Sequence, residues 1–387
     1  MSIASRKEVV ARLRGKYARA GAVYRRQLIA ELCSVCGYER KYAIKVLTGN
    51  RPGPRGQRCG GGVRVYGARE AQVVTALWRV ADYPCGKRLA AMVPLWLPAY
   101  EARHGRLPPT VRMRVQRASA ATLDRLLIPA RAHTVRRYGG TRPGHLLRTQ
   151  IPVRCESWNV DRPGYLEADT VAHGGAAATG DYMHSLTLTD IFSGWIEQAA
   201  LWNKGATQVV TRTREIEAGL PFTLLGFDCD NGSEFLNHHL VQYFGQRPQA
   251  VQFTRSRAYH KNDNAHVEQK NWTKVRQLLG YARYDQPELV NLVQDLYRNE
   301  WRLLQNFFQP VMKLVTKQRR GSRVSKTYDR PQTPAQRLLA WPGLAPEQRA
   351  WLHRQQQTLD PLVLTDAVRR KLQRIRRALQ EAAAHAA

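Results

Sequence analysis

Apolar residues recur at helical spacing through the first third of the chain. Over residues 8–20, Val9, Val10, Leu13 and Tyr17 are set among Arg and Lys, the pattern of a basic amphipathic helix. Leu28, Ile29 and Leu32 mark a second helix over 25–33, Ser34-Val35-Cys36-Gly37 a short turn, and 38–47 a third helix. Two helices joined through a glycine-containing turn predict a helix-turn-helix, with Arg40, Lys41 and Lys45 as DNA-binding residues on the exposed side of its second helix. Pro, Gly and Arg fill 51–64, a basic linker. Helical spacing returns over 70–81, 87–103 and 110–127, with Ser119 a candidate N-cap for the last segment. That block reads as a second helical module, for DNA binding or for packing.

After a second Arg/Gly/Pro-rich linker at 136–148, the period shortens to two. Strands are expected over 164–171, 182–189 and 195–201, then a helix at 206–218, a strand at 223–228, a helix at 234–245, a strand at 250–254 and a helix at 264–279. The order βββ-α-β-α-β-α predicts a ribonuclease-H-like mixed sheet with flanking helices. A helix over 286–308 follows, then a basic hairpin with strands at 311–316 and 322–326 around Lys317-Gln318-Arg319-Arg320-Gly321, and a basic amphipathic helix over 359–387. The expected fold class is multidomain, α plus α/β. Its parts are a helix-turn-helix domain (1–50), linker (51–66), second helical domain (67–135), linker (136–162), catalytic core (163–283), helix plus basic hairpin (284–340) and basic helical tail (341–387).

Charge sharpens this division. The chain of 387 residues carries a formal +31, from 61 Lys and Arg against 30 Asp and Glu, which calls for a polyanionic partner. Between Asp161 and Glu268, 13 acids face 8 bases, so this middle is net −5 and the flanks carry +36. Basic arms around a mildly acidic centre suit a protein whose flanks hold nucleic acid while its centre holds cations. Within the hairpin, Lys317, Arg319 and Arg320 form a candidate phosphate clamp.

Other classes recede. No apolar window is long enough for a membrane span, and the N-terminal residues lack a signal-peptide core, so a cytoplasmic, nucleoid-associated location is expected. Six cysteines scattered over the chain suit reduced thiols. Cys33 and Cys36 have no second ligand pair at finger spacing and read as small core residues.

The candidate chemistry lies in three carboxylates. Asp169 falls on the first strand, Asp230 at the exit of the fourth before the Asn231-Gly232 turn, and Glu268 beside the apolar stripe of the helix expected over 264–279, with Asn264 and Asn271 near its face. Oxygen donors converging at one sheet edge suit Mg²⁺ or Mn²⁺. Two such ions about 4 Å apart serve in-line phosphodiester displacement. Asp228 shares the strand face of Asp230 and is a further candidate for metal binding or support. Glu167 shares the face of Asp169, whereas Asp190 reads as structural and His266 as a helix-surface residue.

Four segments then resemble, in order, the DDE superfamily of retroviral integrases and bacterial insertion-sequence transposases. They are Leu166-Glu167-Ala168-Asp169-Thr170, Leu188-Thr189-Asp190-Ile191-Phe192-Ser193-Gly194-Trp195, Asp230-Asn231-Gly232-Ser233-Glu234-Phe235 and Asn262-Asp263-Asn264-Ala265-His266-Val267-Glu268. The similarity extends to the N-terminal helices, Asn306-Phe307-Phe308-Gln309-Pro310 and Thr333-Pro334. It implies that Asp169, Asp230 and Glu268 are the catalytic, metal-binding triad. It further implies two Mg²⁺ or Mn²⁺ ions, double-stranded DNA as element ends and target, and a homo-oligomer on DNA. The expected activity is hydrolysis and strand transfer at phosphodiesters during DNA integration. The alternatives are a hydrolysis-only nuclease of the same fold and a non-catalytic DNA-binding regulator. Two departures stand out: no His-His-Cys-Cys zinc pattern precedes the core, and His260-Lys261-Asn262-Asp263-Asn264 is charged and polar where retroviral relatives are rich in Gln and Gly.

Overall fold

The computed structural model describes residues 3–49, 65–132, 160–176, 179–229, 234–235, 238–255, 267, 270–320 and 323–386. They fall into two compact units, Met1–Val65 and Tyr66–Ala387.

The first unit consists of three helices, α1 (Ile3–Arg19), α2 (Ala22–Cys36) and α3 (Arg40–Leu47). Val10, Leu13, Leu28, Ile29, Leu32, Cys36, Ala43 and Leu47 form its core. Gly37 ends α2 in the left-handed region (φ +67°), a conformation that a side chain would disfavour, and its N–H closes the helix on the Cys33 carbonyl at 2.9 Å. Cys36 is buried and Cys33 half-buried, both as free thiols. Arg40, Lys41 and Lys45 are exposed on α3.

The second unit opens with five helices, α4 (Ala68–Val80), α5 (Gly86–His104), α6 (Pro109–Arg117), α7 (Ala120–Leu126) and α8 (Ile128–Ala132). The Ser119 hydroxyl caps α7 by accepting the Thr122 N–H at 3.2 Å. Strands β1 (Tyr165–Ala172), β2 (Met183–Asp190), β3 (Ile196–Trp202), β4 (Gly226–Cys229) and β5 (Gln252–Arg255) form one sheet in the order β3-β2-β1-β4-β5. β1, β2 and β3 pair antiparallel, whereas β4 pairs parallel with both β1 and β5. Every residue of β2 is buried, as expected for a strand covered on both faces. Helices α9 (Ala206–Ala218) and α10 (His238–Gly245) follow β3 and β4.

Two later helices carry π turns. The first, α11, begins with a π turn over Asn271–Arg276 and continues as Gln277–Leu279; it packs on β1. The second, α12, runs Pro287–Leu296, has a π turn at Tyr297–Trp301 and finishes as Arg302–Phe308. A continuous helix is expected from the sequence in both places; the structure widens a stretch of each into π turns.

β6 (Leu314–Arg320) and β7 (Arg323–Tyr328) form the hairpin, with Lys317 opposite Lys326 and Arg319 opposite Val324. Lys317, Arg319 and Arg320 therefore belong to a strand, where the sequence suggested the turn. Three helices end the chain: α13 (Pro334–Ala340), α14 (Pro346–Thr358) and α15 (Pro361–Ala386). The opening helices share their core with this end. Trp96 on α5 donates its indole N–H to the Phe308 carbonyl at 3.0 Å, and Arg103 pairs with Asp366 on α15 at 2.7 Å.

Candidate active site

β1 and β4 place the site because they are parallel neighbours at the centre of the sheet. Their ladder pairs Glu167 with Asp228 and then Ala168 with Cys229. The residues that follow in sequence are Asp169, on β1, and Asp230, which lies outside the described residues. Glu268 and His266 lie outside them as well.

Asp169 is half-buried and held by neutral donors. Its Oδ1 accepts the Thr170 N–H at 2.7 Å, and its Oδ2 accepts the Asn271 amide at 2.6 Å. Two residues back on the same strand face, Glu167 accepts the Val267 N–H at 3.2 Å. Val267 and Asn271 thus attach to the acids of β1. Arg276 continues the attachment, donating to the Ala172 carbonyl at 2.7 Å.

Asp228 is fully buried and accepts the Thr254 hydroxyl at 2.6 Å, a bond from β5 to β4. Asp190 is also buried. It ties the β2–β3 turn by accepting from Ser193 N–H at 2.6 Å, Ser193 O–H at 2.5 Å and Gly164 N–H at 2.9 Å. Burial raises its pKa and the bonds from Ser193 oppose that rise. A turn-fixing acid is what the sequence suggested for Asp190.

A second polar group flanks the site. Glu234, 2% exposed, accepts the Thr170 hydroxyl at 2.7 Å and pairs with Lys204 at 3.0 Å. Burial pushes its pKa up, but its own backbone N–H, Lys204 and Thr170 outweigh that and hold it below the ordinary glutamate value. His184 lies within the field of Lys204 and Glu234. Desolvation, then Lys204, pull it down to about 4. Glu234 is therefore anchored to the residue that follows Asp169.

Sequence reasoning passed over Glu234, Lys204, Thr254 and the role of Asn271. Asn271 had a signal, since it follows Glu268 by three positions and so shares its helix face. Lys204 had none, because its contact with Glu234 is made only by the fold.

Among the described residues no three His, Cys, Asp or Glu side chains are grouped to hold a metal. The donors present nevertheless fit a hard divalent cation. The Asn271 side-chain oxygen is buried without a hydrogen-bond partner, and it stands on the amide that holds Asp169. An orphaned neutral oxygen beside a carboxylate is the ligand chemistry of Mg²⁺ and its waters.

Strand order and directions define a ribonuclease-H-like core: three antiparallel strands followed by two parallel ones added at the edge of the first. The chain belongs to the family of the uncharacterized protein y4rM of Sinorhizobium fredii, to which it is 39% identical over 345 residues, covering 87% of this chain and 96% of that protein. No family model matches it. Similar solved structures include the HTLV-2 integrase catalytic core domain in complex with magnesium, at 15% identity, TM-score 0.28, 38% of this chain and 90% of that one. The catalytic core domain of BIV integrase gives 18% identity, TM-score 0.23, 30% of this chain and 66% of that one. The simian T-cell lymphotropic virus intasome in complex with PP2A regulatory subunit B56 gamma gives 15% identity, TM-score 0.26 and coverages of 47% and 59%. At such TM-scores the fold assignment rests on the strand order of this chain. No helix among the described residues is long and apolar enough to cross a membrane.

Proposed function

We propose that this protein is a DDE-type DNA transposase that hydrolyses phosphodiesters at element ends and joins the freed 3′-hydroxyls to target DNA. The observation that carries the reading is the 2.6 Å bond to Asp169 on β1 from Asn271, three positions after Glu268 in sequence. Asp169, Asp230 and Glu268 would hold the divalent cations, with Asn271 orienting Asp169. Asp228, engaged by Thr254, supports the strand exit. Bound Mg²⁺ or Mn²⁺ supplies Lewis-acid stabilisation of the attacking and leaving oxygens. Among the chain's own residues, Thr170 and Asn271 orient the half-buried Asp169 carboxylate.

Exposed Arg40, Lys41 and Lys45 on α3, together with Lys317, Arg319 and Arg320 on β6, are assigned to DNA binding. The +31 charge supports that assignment, since neutralising phosphates releases counterions from DNA. Assembly as a homo-oligomer would bring two element ends together.

The test uses DNA from the borders of the gene, searched for terminal inverted repeats. Purified protein, Mg²⁺ and pre-cut labelled ends should yield joined products with plasmid DNA on a gel. Cleavage without joining would identify a hydrolytic nuclease instead, and binding without either would identify a regulator.

A further inference from the structure

The turn between β2 and β3 and the base of the β6–β7 hairpin line a cavity of about 420 Å³, within the usual size of ligand pockets. Two aromatic rings form part of its wall. Phe192 of the turn and Trp341, the residue after α13, are half-buried and meet edge to face with 6.4 Å between centroids. Lys313 donates its ammonium to the Phe192 carbonyl at 2.8 Å and lies 5.4 Å from the centroid of that ring, which sets a cation beside the aromatic wall. On the hairpin side, Leu314 and Val315 line the cavity and are 45% and 62% exposed. Gln332 adds an amide to the lining, a donor and an acceptor together.

This place is separate from the carboxylates of the sheet. Asp190, at the end of β2, pairs with Leu166, three residues before Asp169 on β1. The turn that carries Phe192 therefore begins roughly 10 Å along the strands from Asp169.

Charge selects the occupant. β6 and β7 hold Lys317, Arg319, Arg320, Arg323 and Lys326 and no acid, and Lys313 brings a further cation to the cavity itself. The acid in the lining, Asp329, is already engaged by Arg337 at 2.7 Å and by the Lys313 backbone N–H at 2.7 Å. A nucleic-acid strand offers phosphates to the hairpin and flat rings with polar edges to the cavity in one continuous repeat. A base inside a duplex has both faces stacked and cannot enter a concave site, so the base that fits is an unstacked one.

We propose that this cavity receives one unstacked nucleobase of a DNA strand whose phosphates follow the β6–β7 hairpin. Trp341 and Phe192 supply the stacking surface, Leu314 and Val315 cover the base from the hairpin side, and Gln332 meets its polar edge. The choice of DNA as the strand rests on the transposase reading.

The full chain is titrated by fluorescence anisotropy with a labelled single strand of thymidines and with an abasic strand carrying the same number of phosphates. Counterion release is the same for both, so their affinity ratio isolates the bases. Wild type should bind the thymidine strand on the order of tenfold to a hundredfold more tightly, as for stacking of a base on an aromatic ring. Trp341→Leu and Phe192→Leu should each bring that ratio close to one, and Trp341→Phe should restore much of it. Circular dichroism checks folding, and a variant that has lost its fold loses both strands alike. Equal binding of the two strands by wild type overturns the proposal, as does a ratio that stays the same in both leucine variants. Leucine variants that sediment as smaller species than wild type, with no base preference in wild type, give the cavity to a second copy of the chain and also overturn it. A wild-type protein that prefers bases through Trp341 but never joins DNA keeps the cavity's role and removes the transposase reading. Joined products without any base preference do the reverse.

Discussion

Glu197 on β3 and Asp169 on β1 are carboxylates of one sheet held in opposite ways. Glu197, 5% exposed, accepts from Arg302 Nε at 2.6 Å and from the Trp195 indole N–H at 2.7 Å. Its charge meets a cation in the protein itself. Asp169 is oriented by the Thr170 N–H and the Asn271 amide. Both of these donors are neutral, so they fix its geometry without themselves cancelling its charge. Under the proposed function, the chemistry of an acid's partner marks Glu197 as structural and Asp169 as a candidate ligand.

The comparison breaks most sharply at Asp169. Asp169→Asn keeps the shape and removes the charge, so cleavage and joining should fall about a thousandfold or more, with DNA affinity measured by anisotropy unchanged. Retained cleavage would place Asp169 with Glu197 as a structural acid.

Arg302→Leu tests the other half. It strands the buried Glu197 carboxylate, and urea unfolding should show a loss of about 3–5 kcal/mol. Adding Glu197→Gln to Arg302→Leu should recover much of this. The pH sign follows from burial, which raises the Glu197 pKa against the pull of Arg302 and Trp195. The folded protein holds that proton at higher pH than the unfolded chain, so the gap between Arg302→Leu and wild type should narrow as pH falls through the raised pKa. A gap that widens on acidification would refute the assignment.

Asn271→Ala leaves Asp169 charged and loosens it. Activity should fall on the order of tenfold to a hundredfold, with a higher Mg²⁺ concentration needed for half-maximal rate. A purely structural asparagine would lower stability without moving the Mg²⁺ requirement.

Much of the sheet was legible because alternation and turn residues act locally. Strands β1 to β3 fall within one or two residues of expectation, and α9 spans the residues expected. The misses have tertiary causes. β4 was expected from 223, but Leu225 and Gly226 both donate to the Gly164 carbonyl, and ladder pairing begins only at Gly226. The helix expected from 234 begins at His238; before it, Phe235 packs against Phe227 and Glu234 turns to Thr170 and Lys204. At the site, spacing brought out Asp169 among the described residues. It could not show the amide on Asp169 or the threonine on Asp228, because each partner arrives from a different element.

The smallest expected effect lies outside the sheet and sharpens the contrast between charge that binds DNA and charge that serves chemistry. Arg40 and Lys45 are exposed on α3, whereas Ala43 and Leu47 on the same helix are buried in the three-helix core. Removing either charge therefore leaves the packing intact. Each contact to a phosphate contributes about 0.9 to the slope of log affinity against log salt, so Arg40→Ala and Lys45→Ala should each flatten that slope by about one unit. Cleavage of saturating DNA should not change, because the carboxylates assigned to the chemistry are left intact. A slope that stays the same in both variants, with affinity also unchanged, would remove α3 from the DNA interface and leave the basic hairpin as the surface to test.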